Sequence, residues 1–558
     1  MGMQRNKPEA QDFIPELLAL MPLSVSDVLI CDGPGLSRAY RARNPTARIT
    51  GMGAVDPGAV DLVVRGPVET MPKSRLGGSF DLIVINETLC RVRDPARLLA
   101  RLADRLRPGG HLVTSYLNDS HWSRLHARLE GRAVPPDALG PHSVSGLLSG
   151  AGLVPRRLRG RPGNAPDATP GWRDMFLRIG TEGGLEPHAL QTRLSMTHYV
   201  AVAQRPVPGK GVAKPVRFHQ IELASLMDVR TRIPAAALAA EPDLQVTRVE
   251  KQLRIPDFGP KGGVILVQRP RLSQPQMFVD FVAACQRRGA VVVIEYDDDP
   301  SLVARVLRRD DVPEIHVRNL ALAHGVQTST EVLAGQFRQS NPEVMVFGNV
   351  AYDLPPQRPR RDGPLRILFG ALNRDDTAAL AALMAPAIAA LPEARFDVIH
   401  DHAFFDALPA GNKHFHRLMP YTAYLDLLGE CDICLMPLQG LPEELGKSDV
   451  KWVEAASRGA VAIASPAVYG QSIRHGENGF IARDPGDWSR LLIALAADPD
   501  QRARVAATAH AEVREHRMMA QQVALRRDWY LDLLARRDEL HAAAIQRSLP
   551  LAAALARD

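Results

Sequence analysis

Two lysines, a glutamate and an arginine fall on one stripe of Gly446–Ser465, GKSDVKWVEAASRGAVAIAS. At 100° per residue Lys447, Lys451, Glu454 and Arg458 share a face, Trp452, Val453 and Ala456 share the opposite one, and Val450 lies at its margin. Ser448 is a suitable N-cap, Asp449 suits the positive end of a helix, and Gly459 suits its C-terminal stop, so the pattern predicts a helix from about Asp449 to Arg458. By pattern alone the stripe is a solvated face in which Lys451 and Glu454, three apart, contribute roughly 0.2–0.5 kcal/mol. Its position suggests more. The helix follows the apolar strand ICLMPL, so its N-terminus lies at the carboxyl edge of a parallel sheet, where open α/β folds bind ligands. Free N–H groups, the helix dipole and two lysines there suit a diphosphate, with Glu454 available to accept hydrogen bonds from hydroxyls.

A second set of candidates lies upstream. In VVVIEYDDDP, Asp297, Asp298 and Asp299 follow a strand end, where a general base could sit and where adjacent carboxylates raise one another's pKa; the alternative is an N-capping turn. His219, in RFHQIELASL, is a candidate catalytic base, and Arg269, in VQRP, has similar standing. Asp401, between His400 and His402 in VIHDHAFF, is either a sugar or acceptor contact or a structural loop residue. Cys431 and Cys434 form a lone CxxC in ECDICLMPL and read as structural neighbours of a core strand.

These residues need sheets to position them. Apolar runs bounded by turn residues alternate with helical patterns three times along the 558 residues, which predicts an α/β protein of three Rossmann-like, doubly wound domains. The expected boundaries are 1–206, 207–360 and 361–558, the last including a C-terminal helical tail, with PVPGKGVAKP as the first linker. The tail, RDWYLDLLARRDELHAAAIQRSLPLAAALARD, is amphipathic and is expected to dock back on the protein, with contact to anionic lipid as the alternative. No run reaches the roughly 20 apolar residues of a membrane span, and the first residues lack a secretory signal's apolar core, so the expected location is cytoplasmic. A net charge of +6 without a basic block suits anionic small ligands or a membrane surface better than nucleic acid.

KSDVKWVEAASRGAVAIAS, followed by SIRHGENGFIARDPGDWSRLL, resembles the donor-binding half of bacterial two-domain glycosyltransferases of the GT-B fold, the group 1 type. The resemblance implies transfer of a sugar from a UDP-, GDP- or dTDP-sugar to an acceptor in surface-glycan or glycoprotein assembly, without a bound metal. It implies that Glu454 holds the ribose, that Lys447 or Lys451 contacts the pyrophosphate, and that Gly370 and Arg374 in LFGALNRDD flank the phosphates. The turn His475, Gly476, Asn478 and Gly479 would lie near the donor, and residues 207–360 would form the acceptor half. Many such relatives carry a second glutamate eight positions before the first; here that position is Gly446, with Glu443 and Glu444 nearby. Implied partners are a glycan, lipid-linked or protein acceptor, a peripheral membrane contact and a second copy of the chain.

FDLIVINETLCRVRDPARLLARLADRLRPGGHLVTSYLN resembles class I S-adenosylmethionine-dependent methyltransferases. The cofactor loop departs from that pattern: in VLICDGPG, Ile30 stands where an acid is expected and only Gly33 and Gly35 remain of the glycines. Met52 and Gly53 stand where an acid would take the ribose hydroxyls, with Asp32 and Asp56 as substitutes in a shifted alignment. Each absent carboxylate would have contributed about 1.5–3 kcal/mol. The expectation is a degenerate domain serving as a scaffold or platform. The alternatives are a bifunctional glycosyl- and methyltransferase and a non-catalytic scaffold that binds nucleotide sugars.

Overall fold

The computed structural model describes residues 13–66, 68–69, 78–132, 138–163, 170–223, 228–270, 275–357, 363–371 and 376–555. The chain divides into two compact units, one of Met1–Lys214 with Ala239–Asp243 and one of Pro215–Leu238 with Leu244–Asp558.

The first unit is built on a single sheet. Its strands are β1 (Asp27–Cys31), β2 (Arg48–Met52), β3 (Leu62–Val64), β4 (Phe80–Asn86), β5 (Leu106–Asn118), β6 (Ala138–Leu139), β7 (Val154–Pro162) and β8 (Met196–Gln204). The order is β3-β2-β1-β4-β5-β8-β7, with β6 beside β5. Strands β1 to β5 are parallel, whereas β8 runs antiparallel to both β5 and β7. β8 fills the gap between β5 and β7 in the reverse direction. Five residues far along the chain complete the unit. Glu241 accepts from Ser24 Oγ at 2.7 Å and Ser24 N–H at 3.3 Å. Arg157 donates to the carbonyls of Ala239 and Glu241, and Arg156 to that of Pro242.

The second unit contains two all-parallel sheets. One comprises β9 (Val216–Glu222), β10 (Leu244–Glu250), β11 (Gly263–Gln268), β12 (Ala290–Glu295), β13 (Gly325–Thr328) and β14 (Val344–Val346), in the order β10-β9-β11-β12-β13-β14. The other comprises β15 (Arg366–Gly370), β16 (Arg395–Ile399), β17 (Lys413–His416), β18 (Ile433–Met436), β19 (Val461–Ala464) and β20 (Phe480–Ile481), in the order β17-β16-β15-β18-β19-β20. Every residue of β11, β12, β18 and β19 is buried, the burial expected of strands covered on both faces. Each sheet has its own core, centred on Phe278, Val292 and Phe337 in the first and on Phe369, Phe396 and Leu492 in the second.

The C-terminal helices pack on the earlier of these sheets. Along Met519–Ala535, the Tyr530 ring lies tilted against Phe218 with centroids 4.8 Å apart, and a Cβ on Gly325 would meet Leu533 at 2.9 Å, so bare backbone at 325 lets the helix approach. The buried side of this helix is therefore committed to protein. No helix among the described residues is long and apolar enough to cross a membrane.

Candidate functional site

The third sheet reverses its winding between β15 and β18, and a crevice opens at the carboxyl ends of strands at such a point. The helix after β18 spans Val450–Arg458 and closes at Gly459, whose φ of +80° glycine adopts without strain. Asp449 rather than Ser448 takes the N-cap position, without a capping bond of its own. Lys451 Nζ donates to the carbonyl of Gly370, the last residue of β15, so two of the predicted residues meet at the crevice. The loop before the helix is held by Glu444, whose Oε2 accepts from the N–H groups of Gln439 and Gly440, both at 2.9 Å.

The polar stripe is not a solvated face. Glu454 is 8% exposed, and its oxygens accept from Tyr421 Oη at 3.0 Å and Tyr424 Oη at 2.9 Å. Burial raises its pKa, and the tyrosine hydrogen bonds and Lys451 only partly offset that. Burial also drives both tyrosine hydroxyls well above their ordinary pKa, with the neighbouring Glu454 charge adding to it.

At the carboxyl edge of the second sheet, Arg269 clasps Asp297 through Nε at 2.6 Å and Nη2 at 2.5 Å, and Nη2 is 3.7 Å from Asp298. Burial disfavours the Arg269 charge, but the carboxylates of Asp297 and Asp298 outweigh it and hold its pKa above that of an ordinary arginine. Lys447 Nζ lies 3.6 Å from Asp298 Oδ1, which ties the two halves of this unit together. Thr330 Oγ1 donates to the Gly446 carbonyl at 3.0 Å, and Asn349 Nδ2 to Ser448 Oγ at 2.6 Å. Gly446 has a steric reason to lack a side chain: a Cβ there would lie 2.8 Å from Leu333 Cδ2.

Several of the candidate residues hold structural positions. His219 lies in the middle of β9, 4% exposed, with Nδ1 2.8 Å from Thr247 Oγ1; burial lowers its pKa, and it does not reach the strand ends where a base would stand. Asp299 caps the helix Pro300–Leu307 through Ser301 N–H at 2.8 Å, the structural alternative for the acidic run. Asp401 likewise caps His402–Ala407 and accepts from Thr377 Oγ1 at 2.9 Å. Asn478 is consumed by the protein: Oδ1 accepts from Arg474 N–H at 2.7 Å, and Nδ2 donates to the Ser472 carbonyl at 3.0 Å and to Glu512 at 2.7 Å. The Asn478 carbonyl accepts from Trp452 Nε1 at 3.0 Å, and a Gly479 Cβ would meet Ile473 at 3.0 Å, so the Asn478–Gly479 side of this turn packs against the helix and its neighbours. Cys431 and Cys434 are buried free thiols whose pKa values burial raises. Arg374 lies outside the described residues.

In the first unit, Asp32 follows β1 with φ +52° and accepts from Ala54 N–H at 3.2 Å and Thr88 Oγ1 at 3.0 Å. A Cβ on Gly53 would come within 2.1 Å of Asp32 Oδ1, so Asp32 occupies the space that a side chain at 53 would need. Asp56 accepts from Gly58 N–H at 3.2 Å and pairs with Arg38. Both substitute carboxylates are already engaged.

Residues 374–525 match the family model described as glycosyl transferase-like, and residues 32–154 match that described as a methyltransferase domain. The chain carries both domains. No curated protein matches it at a significant level. Among solved structures, HepE from Anabaena in complex with UDP and glucose is 13% identical with a TM-score of 0.42, over 57% of this chain and 99% of that one. TarM from S. aureus, crystallised with Fondaparinux, alpha-GlcNAc-glycerol and UDP, is 10% identical with a TM-score of 0.39, over 49% of this chain; the chain spans about half of TarM, 55%. The N-methyltransferase NodS from Bradyrhizobium japonicum WM9 with S-adenosyl-l-homocysteine is 17% identical with a TM-score of 0.23, over 36% of this chain and 90% of that one.

The glycosyl transferase-like domain contains a residue that sequence reading missed. Arg517 holds Asp449 through Nη1 at 2.8 Å and Nη2 at 2.7 Å, and Nη2 also reaches the Asn349 carbonyl at 3.0 Å. Nothing in the spacing of 449 and 517 signals this pair. Also missed was a buried rung at the ends of four adjacent strands, where Glu222, Gln268, Glu295 and Gln327 stand in register, each 0% exposed. A signal existed: each of these apolar strands ends in Gln or Glu at or near its last position.

Proposed function

We propose that the second unit is a glycosyltransferase that takes a sugar from a nucleotide-diphosphate donor bound at the crevice between β15 and β18. The observation that carries this reading is the convergence of Lys447, Lys451 and Gly370 on that edge, beside a helix N-terminus, within a domain of glycosyl transferase-like sequence. Lys447 and Lys451 would neutralise the charge that grows on the leaving diphosphate. Asp298, which faces Lys447, is the carboxylate best situated to take the acceptor's proton, and Arg269 with Asp297 would hold its strand end in position. Donor entry would exchange the Lys447 to Asp298 contact for one to phosphate, and Glu454 would turn from its tyrosines to the ribose. The acceptor would be a glycan, lipid-linked or protein substrate of surface-glycan assembly, met on the cytoplasmic side of a membrane.

The test is calorimetric titration of UDP, GDP and dTDP sugars into the protein and into its Lys447→Ala/Lys451→Ala variant. Loss of two charge-assisted phosphate contacts, each worth about 1.5–3 kcal/mol, should weaken the preferred donor at least a hundredfold. Unchanged affinity in a variant with the parent's melting curve refutes the reading.

A further inference from the structure

The amino ends of the second sheet, one strand length or roughly 20 Å from the edge that carries Arg269, hold a separate cavity of about 430 Å³. Gly262 and Gly289, which immediately precede β11 and β12, have φ of +70° and +68°. A Cβ on Gly262 would lie 1.9 Å from the Gly289 carbonyl oxygen, and a Cβ at either position would come within 3.2–3.3 Å of Arg537 Nη1. The two glycines thus clear a backbone floor for the Arg537 guanidinium. Arg287 and Arg288, at the end of the helix Pro275–Arg287, also line the cavity.

His541, one turn after Arg537, also lines the cavity, and its proton can be located. Val292 N–H donates to His324 Nδ1 at 2.8 Å, so neutral His324 carries its hydrogen on Nε2. That nitrogen is 2.6 Å from His541 Nδ1, which must accept. His541 therefore carries its own hydrogen on Nε2, and that N–H has no acceptor among the described residues. Burial lowers the pKa of both rings, that of His324 to about 3. Among the described residues the lining contains three guanidinium groups and one carboxylate, Asp538, which is spoken for by Arg537 Nε at 3.0 Å.

We propose that this cavity binds a phosphate-bearing anion, held by Arg287, Arg288 and Arg537. Guanidinium groups from two directions match an anion with several oxygens, which each can engage through paired N–H donors. The surplus of positive charge over Asp538 supplies the attraction, and the cavity supplies room for the oxygens. Two sources fit this chemistry, a free phosphorylated solute and the headgroup of an anionic lipid. Because the cavity lies at the amino ends of β11 and β12 and the donor crevice at the carboxyl ends of β15 and β18, in a different sheet, the proposal is independent of the glycosyltransferase reading.

The experiment uses the full chain carrying Lys447→Ala/Lys451→Ala, which removes the donor-crevice lysines. Pyrophosphate is titrated by calorimetry, and capture is measured on vesicles of phosphatidylcholine alone and of phosphatidylcholine with phosphatidylglycerol. The expected result is binding to pyrophosphate or to the phosphatidylglycerol vesicles that weakens at least tenfold on adding Arg287→Ser/Arg288→Ser, whose exposed positions leave the melting temperature in place. Arg537→Gln should weaken the same binding. Capture by anionic vesicles that pyrophosphate displaces identifies a headgroup, whereas pyrophosphate binding without capture identifies a free solute. Absence of binding to both probes at millimolar pyrophosphate, or binding that none of the arginine substitutions alters, overturns the proposal.

Discussion

Glu454 keeps its carboxylate away from water against two tyrosine hydroxyls, and its ionised form is disfavoured by that burial. A carboxyl whose pKa is raised in the folded state holds its proton there after the unfolded chain has released it, so its contribution to stability is complete below the ordinary glutamate pKa and is lost as pH rises through the folded value. Glu454→Gln removes the titration while retaining a partner for each tyrosine. Its melting temperature should gain on the parent's as pH is raised from 4 to 8, in thermal scans across that range, and a difference that does not change with pH would contradict the burial argument. Gly446 gives a second prediction at this scale. Gly446→Glu drives a side chain into Leu333, and overpacking of this kind should lower stability by about 1–3 kcal/mol in urea unfolding. The lysine and glutamate stripe was legible because helical spacing is local. Tyr421 and Tyr424 were not, since a contact across some thirty residues leaves no periodic trace.

Arg517 shows what elements add. Ala351 and Met518 form a bridge, so the chain passes between the two sheets of its unit at adjacent points, and Arg517 fastens that crossing to the start of the Val450–Arg458 helix. Arg517→Ala leaves Asp449 with Ser472 as its remaining side-chain partner and should cost about 1–3 kcal/mol of stability. Donor binding should weaken as well, because the helix start that frames the crevice is no longer anchored; titration and urea unfolding on the same preparation measure both. The buried rung offers a sharper case. Glu295, 0% exposed, meets Arg230 at 2.5 Å, and Arg230 also donates to the Phe347 carbonyl and to Asn349. Arg230→Met strands the Glu295 charge and should cost about 3–5 kcal/mol, whereas a double variant that also carries Glu295→Leu should recover part of that loss. Sequence pattern gave the buried strands within VVVIEY and ICLMPL. It could not give the direction of β8, because a short apolar run reads the same whichever way it enters a sheet.

At the scale of the molecule, the three sheets were recognisable from alternating apolar and helical runs, and the two matched families fall on the first and third of them. Chemistry differs between the units. Asp32 and Asp56 are engaged internally in the first, so S-adenosylmethionine should leave the melting profile unchanged; binding at one hundred times its Kd would add about 2.7 kcal/mol and be plain to see. A nucleotide diphosphate should move only the transition of the second unit in calorimetric scans.

The five residues Ala239–Asp243 set how this protein can be dissected. A cut in the linker near Lys214 looks natural from composition, yet it would take Glu241 from Ser24 and leave Arg156 and Arg157 without carbonyls they now bind. A fragment ending there would be missing part of its own fold, and any inactivity it displayed would report on that amputation rather than on the ancestry of its cofactor loop.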